Sequence, residues 1–364
     1  NTRAVLDTEG TAWTTVTSTH GYRLQQAGRS DVYLGATSAM EAWVDRTDAG
    51  ETEFTLTQDA DNLYTIANVA NSGTAMGWSG ECGNRAVTPL LSVNDKEPRG
   101  TRWMRMDETM YAQVKSNVAD VREERMALWP VVRAARSCAL DIASEEAIWN
   151  NPVATAQQLT TAVESMKAKL LALLPTASLT QSVDLSYFVQ NADFSGDLAT
   201  TWTNDGFLSH ESYYPASVSG GASLGPVFAE KYVEWGNALP DASLSQTVSD
   251  LPEGVYAVGA DIILRKWDEN PASGIQLYAQ PEGDDEQATL CQHDSNANFY
   301  VQSAFFRVGE GQSLTVGFRI KDTGNVNWVA FDNYRLLYLG QYLPGDINHD
   351  GSLSIADAIG IANI

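Results

Sequence analysis

Histidine and cysteine are scarce in this sequence, and basic residues are outnumbered two to one. Four histidines and three cysteines occur in 364 residues. Cys82, Cys138 and Cys291 lie far apart in the chain. Such spacing builds neither a metal cluster nor an even disulfide framework, so free, buried thiols are expected. Lysine and arginine total 23 against 46 acidic residues, a net charge of -23 with pI near 4.4. That balance argues against nucleic acid and anionic membrane partners, which need a basic footprint. No run of about 18 apolar residues is present, so no membrane span is expected. The first residue is Asn1 and no charged-then-apolar leader follows. We therefore expect a signal peptide to lie outside this sequence, which reads as a fragment or processed piece of a secreted or cell-surface protein.

Catalytic signatures are also missing. The chain contains no Gly-x-Ser-x-Gly elbow, no His-Glu-x-x-His and no phosphate-binding glycine loop. His20, His210 and His293 have no neighbours that suggest a triad, and His349 lies within an acidic loop. Glu230 and Glu234 could serve glycoside hydrolysis, which uses two carboxylates about 5–10 Å apart. They lie in no recognisable motif, and an acidic chain produces such pairs by composition. No catalytic residue is assigned.

What is present starts near the C-terminus. Residues 346 to 357 place oxygen side chains at loop positions 1, 3 and 5 (Asp346, Asn348, Asp350) and Gly351 at position 6. Ser352 would offer its carbonyl at position 7, Ser354 stands at position 9, and Asp357 closes the loop at position 12. This is the spacing of a calcium loop, because Ca²⁺ takes about six to eight oxygen ligands. Leu343-Pro344-Gly345 leaves no entering helix, while Ala356 onward can begin an exiting one. Residues 345 to 364 thus resemble the first repeat of a type I dockerin, half of an EF-hand-like module. The resemblance implies bound Ca²⁺ and a cohesin-type partner. At loop positions 10 and 11, where the family often carries partner-reading hydroxyls, this chain has Ile355 and Ala356.

The remainder divides into three further domains, in keeping with a length that allows several. An apolar fraction of 43% supports packed cores. Within 1–107, Tyr22-Arg23-Leu24 overlays Tyr64-Thr65-Ile66, and Tyr33-Leu34-Gly35 overlays Ala75-Met76-Gly77, at an offset of 42 residues. A third start appears at Trp103. These repeats resemble an incomplete ricin-type β-trefoil lectin, in which Trp43 and Trp78 could stack on sugar or pack in the core. Over 108–175, Val114, Val118, Val121, Leu128 and Val132 recur at helical spacing, as do Leu159, Val163, Met166, Leu170 and Leu173. Two helices are predicted, paired as an αα-hairpin spacer, the second starting at a Thr155/Gln158 capping box.

Residues 184–341 alternate at the strand period between Gly, Pro, Asn and Asp turns, which predicts a β-sandwich or jelly roll. The segment opens on Asn191-Ala192-Asp193-Phe194 and closes on Asn327 to Leu339. Those two ends resemble the galactose-binding-like sandwiches that serve as carbohydrate-binding modules. The resemblance implies that they meet and hold a second calcium through Asp193 and Asp332. Alternatively, both carboxylates cap turns. Trp202 and Trp328 are assigned to the core. Tyr213, Tyr214, Trp235 and Trp267 are the loop aromatics assigned to ligand contact, with Arg265 as a polar partner. The expectation is a mainly β, multidomain, non-catalytic region of a carbohydrate-active protein that binds a polysaccharide or glycan and docks through calcium. A structural or adhesive protein with protein partners is the alternative, and a glycoside hydrolase or lyase with its site in the sandwich is a third.

Overall fold

The computed structural model describes residues 2–3, 12–36, 42–46, 52–58, 63–71, 74–76, 90–92, 102–194, 196–211, 218–219, 227–346, 353, 355 and 357. Tyr213, Tyr214, Asn348, Asp350, Ser352, Trp78 and Cys82 lie outside the described residues. The chain forms two compact units, Asn1–Tyr111 with Glu211–Tyr213, and Ala112–His210 with Tyr214–Ile364.

In the first unit the internal repeat becomes a strand repeat. Strands β1 (Thr2–Arg3), β2 (Trp13–Thr17), β3 (Tyr22–Gln26), β4 (Tyr33–Ala36) and β5 (Ala42–Arg46) precede β6 (Phe54–Gln58), β7 (Tyr64–Asn68), β8 (Thr74–Met76), β9 (Leu90–Ser92) and β10 (Arg102–Trp103). Pairing is antiparallel throughout. Hairpin β2–β3 continues to β4 and β5, and hairpin β6–β7 continues to β8 and β9. The start of each copy pairs with the second strand of the one before it, Tyr22 with Phe54 and Tyr64 with Trp103. The core follows the same rule. Trp13, Phe54 and Trp103 pack with Leu24 and Ile66 and with Leu34 and Met76, equivalent positions of the successive copies. The Trp103 indole N–H donates to the Met76 carbonyl at 2.8 Å.

The second unit begins with helices. Two were predicted over 108–175, and the chain makes four: α1 (Glu108–Asp120), α2 (Arg122–Ser137), α3 (Ala143–Trp149) and α4 (Ala156–Leu171). Val121 leaves the helical angles (φ -119°, ψ 13°) yet is buried, so its apolar position was legible and the break was not. The capping box at α4 is present, with the Gln158 side chain accepting from Thr155 N at 2.9 Å. The helices are more than a spacer. Leu128 and Val132 of α2 and Leu159, Met166 and Leu170 of α4 belong to the same continuous core as the sandwich. Trp129 of α2 donates to Asp193 at 3.0 Å, and Arg133 donates to Asn333. α2 and α4 bury their apolar stripes in that shared core, out of water.

The sandwich has two sheets. Its strands are β11 (Val183–Asp184), β12 (Thr203–Asp205), β13 (Leu208–Glu211), β14 (Val227–Tyr232), β15 (Ala242–Val248), β16 (Gly254–Lys266), β17 (Ile275–Pro281), β18 (Gln287–Leu290), β19 (Ala297–Gln302), β20 (Phe306–Val308), β21 (Leu314–Ile320) and β22 (Val326–Gly340). One sheet runs β13-β14-β22-β16-β19, with β11 on β22 and β20 on β16; the other runs β12-β15-β21-β17-β18. The core between them holds Tyr256, Val258, Ile262 and Leu264 of β16 and Phe331, Tyr334, Leu336 and Tyr338 of β22. Phe318 stacks on Phe331 with centroids 3.9 Å apart, and Phe194 and Trp202 complete the aromatic cluster with Tyr334. Burying such side chains stabilises by about 1.5–3 kcal/mol each. The opening loop and the closing strand meet here, since Tyr334 N donates to the Ala192 carbonyl at 2.7 Å.

Buried Glu145 ties α3 to α4. Lys169 lies 2.7 Å from its carboxylate, and the Ser165 and Ser144 hydroxyls donate to it at 2.7 and 2.8 Å. Burial alone would raise the Glu145 carboxyl, but the bonds from Lys169, Ser165 and Ser144 outweigh it and hold the pKa at about 2. The carboxylate's contribution is therefore present above its unfolded value of 4.5 and is lost as pH falls toward about 2. Glu145→Gln should cost on the order of 2–3 kcal/mol at pH 7 and little at pH 2, measured by urea denaturation across that range.

Candidate functional site: the bulged end of the outer sheet face

Three irregularities interrupt the pairing of β16 with β22. At one, Arg265 pairs with Trp328 and Lys266 with Val326, so Asn327 is the extra residue of a β-bulge. The bulge resets the alternation of faces. Val326 and Val329 both point into the core, and Trp328 between them turns to the outer face. Trp328 is therefore half-buried outside the sandwich core, where sequence reasoning had assigned it to the core, whereas Trp202 is buried between the sheets.

The register builds a row across three strands on that outer face, Tyr232 on β14, Trp328 on β22 and Arg265 on β16. The next row is Glu230, Ala330, Ile263 and Asn298. The Trp328 indole N–H donates to Glu230 Oε2 at 2.8 Å. The Arg265 guanidinium lies 5.6 Å from the Trp328 ring centroid and donates to the Ala297 carbonyl and Asn298 Oδ1, both at 2.9 Å. Burial lowers the Arg265 pKa from its ordinary value. The indole is thus flanked by a carboxylate and a guanidinium, each held by bonds to neighbouring strands. Tyr232 is 59% exposed.

Two of the loop aromatics reach this end. Trp235 follows β14 and is 64% exposed; Trp267 follows β16 and is half-buried. The β14 loop continues the ladder along the bulge, with Val233 N donating to the Asn327 carbonyl and Leu239 N to that of Val326, both at 2.9 Å. Arg265, Trp235 and Trp267 are thus brought to one end of the sheet, while Tyr213 and Tyr214 lie outside the described residues. Glu234 occupies the exposed loop, and Glu230 is engaged by Trp328. Sequence reasoning missed Tyr232 and Trp328 as surface aromatics. Tyr232 carried a signal in the alternation of Phe228, Glu230 and Tyr232; Trp328 carried one in the alternation of core Val329 and Phe331 with outer-face Trp328 and Ala330.

The carboxylates assigned to a second calcium fall in different surroundings. Asp193 accepts from Trp129 and lies 3.2 Å from Arg133. Asp332 is buried on the outer face and accepts from Asn333 N at 2.6 Å. Its cross-strand neighbour is Asp261, also buried, which accepts from Asn333 Nδ2 at 2.8 Å and lies 3.6 Å from Arg335. Asp261 was legible as a lone charge inside the apolar run Val258 to Leu264 but was not singled out. Among the described residues, no group of three or more His, Cys, Asp or Glu side chains is arranged to hold a metal ion. Of the C-terminal loop, Asp346 and Asp357 are described and are 4% and 3% exposed, whereas Leu353 and Ile355 between them are 64% and 81% exposed.

No known protein family matches this chain, and no curated protein matches it in sequence. Solved structures similar to parts of it include TmCBM61 in complex with beta-1,4-galactotriose, 19% identical over 42% of this chain and 97% of that one, at a TM-score of 0.30. The CBM22-1 xylan-binding domain from Paenibacillus barcinonensis Xyn10C is 14% identical over 42% of this chain and 94% of its own, at 0.27. A cyclase from Fischerella sp. is 15% identical over 45% and 100%, at 0.33. The sandwich is defined by its own strand order and core.

The two kinds of aromatic should separate on substitution. Trp202→Ala removes a buried ring and should cost about 3–5 kcal/mol. Tyr232→Ala removes an exposed one and should change stability by no more than about 0.5 kcal/mol in the same denaturation measurement.

Proposed function

We propose that the bulged end of the outer sheet face binds a glycan without catalysing its cleavage. The observation that carries this reading is the row of Tyr232, Trp328 and Arg265 with Glu230 bonded to the indole. A pyranose presents an apolar C–H face that packs on an aromatic ring and a rim of hydroxyls that both donate and accept. Aromatic surfaces beside a few fixed polar groups suit that chemistry, and bonds from hydroxyls to a carboxylate or from a guanidinium are charge-assisted. Trp235 and Trp267 would extend the stacking surface. Stacking on a ring contributes about 0.5–1.5 kcal/mol. Trp328→Ala and Trp267→Ala should therefore each weaken binding by at least two- to tenfold in calorimetric titration. Failure of the unaltered protein to bind any plant, host or microbial glycan would overturn the reading.

We further infer a calcium site at 346–357, in a dockerin-like repeat of a secreted or cell-surface protein, with a cohesin-type domain as the partner to test. Support comes from an inversion of ordinary burial: acidic Asp346 and Asp357 are buried and aliphatic Leu353 and Ile355 are exposed. A loop organised around inward-turned carboxylates has that pattern, and its oxygen donors suit a hard cation. Asn348, Asp350 and Ser352 would complete the ligand set. Likewise the repeat of the first unit supports a trefoil-type lectin reading for residues 1–107. Millimolar calcium should raise the melting temperature relative to EGTA, and Asp346→Ala with Asp357→Ala should abolish the rise. Equal melting curves with and without calcium, together with no heat of binding, would remove the site.

The half-buried Trp267 and the Arg265 guanidinium held by strand acceptors favour a second reading, a scaffold that contacts protein partners. Glycan titration separates the two.

A further inference from the structure

Lys266 ends β16 and is only 3% exposed. It continues the inward alternation of Ile262 and Leu264, and the bulge on the facing strand sets Val326 opposite it, while Arg265 turns outward opposite Trp328. Removing an ammonium from water costs several kcal/mol unless hydrogen bonds compensate. Here Nζ donates to the carbonyls of Asp268 at 3.0 Å and Asn270 at 2.8 Å. Lys266 makes no ion pair among the described residues.

A second buried side chain converges on the same loop. Asn325 donates from Nδ2 to Asp268 Oδ1 at 2.7 Å and to the Asn270 carbonyl at 2.9 Å, and its backbone carbonyl accepts from Trp267 N at 3.3 Å. Asp268 also accepts from the backbone and side-chain N–H groups of Asn270 at 3.0 and 2.8 Å. Surface loops ordinarily leave their carbonyls to water. In this one, carbonyls and a carboxylate are held from below by an ammonium and an amide, which fixes the backbone on which Trp267 stands. Binding sites gain when their first contacts are locked by such supporting bonds, because loop ordering no longer opposes association.

We propose that Lys266 is a positioning residue: with Asn325 it presets the loop from Trp267 to Asn270 so that Trp267 is held ready beside the Trp328 and Arg265 row. The role rests on the glycan-binding reading of this end of the sheet, but its structural half can be measured without any glycan. Lys266→Met keeps the apolar stem and removes the donors; Lys266→Gln keeps a shorter donor. In protein labelled with 5-fluorotryptophan, the Trp267 resonance, assigned through Trp267→Phe, should shift and broaden in Lys266→Met while that of core Trp202 stays in place. Amide exchange over 267–270 should rise about tenfold or more, and Lys266→Gln should fall between the two.

Affinity for a glycan bound by the unaltered protein should drop about tenfold in Lys266→Met, the cost of ordering one rotamer-rich side chain and its loop. Unchanged Trp267 resonance and unchanged exchange overturn the proposal whatever the glycan result. A loosened loop with unchanged affinity overturns the positioning role and leaves glycan binding standing. Absence of any glycan binding by the unaltered protein removes both. Should Lys266→Met fail to fold, Asn325→Ala carries the same measurements.

Discussion

Everything in the larger unit depends on the antiparallel pairing of two long strands, 13 and 15 residues, at the centre of one sheet. Gly254–Lys266 and Val326–Gly340 bury one face against the second sheet and leave the other to be finished by surrounding elements. Strands this long cannot stay in simple register while the sheet twists, and the pair is interrupted three times. Each interruption moves the alternation of faces by one position. The interruption at Asn327 turns Val326 inward opposite Lys266, next to the Trp328 and Arg265 pair. A second places Asn333 at φ 49°, where its side chain bonds both Arg133 of α2 and Asp261. Gly259 serves the same region, because a Cβ there would run into the Tyr300 hydroxyl.

The polar groups on the outer face follow from that pairing. Asp261 and Asp332 oppose each other across the strands, and Arg335 lies over the Tyr300 ring at 4.8 Å. Buried charges of this kind persist when neighbours supply hydrogen bonds. Here Asn333 donates a hydrogen bond to Asp261, Arg335 stands 3.6 Å from it as a counter-charge, and α2 reaches the same strand through Arg133. The helices are thus joined to the sheet by polar bonds as well as by the shared core. At the bulged end the same logic acts on Glu230, Arg265 and Lys266, whose partners lie on adjacent strands and loops and so hold the rings between them.

Much of the architecture was legible. The apolar runs at 255–264, 275–279, 314–320 and 327–339 became strands, the Thr155/Gln158 cap starts α4, and the 42-residue offset reappears as equivalent strands and equivalent core positions in the first unit. The helix break at Val121 was not legible, because buried apolar spacing continues through it. Nor was the shared core of helices and sandwich, since an amphipathic stripe states that a face is buried and not against what. Of the candidate site, Trp235, Trp267 and Arg265 were found by residue type; Tyr232, Trp328 and Lys266 were not.

The sequence by itself determined the element types, the acidic balance and the oxygen-rich loop at 346–357, because composition, periodicity and spacing are local properties. It also placed the aromatic residues, but not the faces they would occupy. Only the tertiary structure decided those, since one extra residue opposite a partner strand reverses every side chain beyond it. At Asn327 that reversal turns Val326 into the core opposite Lys266, beneath the loop that carries Trp267, while strand pairing aligns Trp328 with Tyr232 and Arg265.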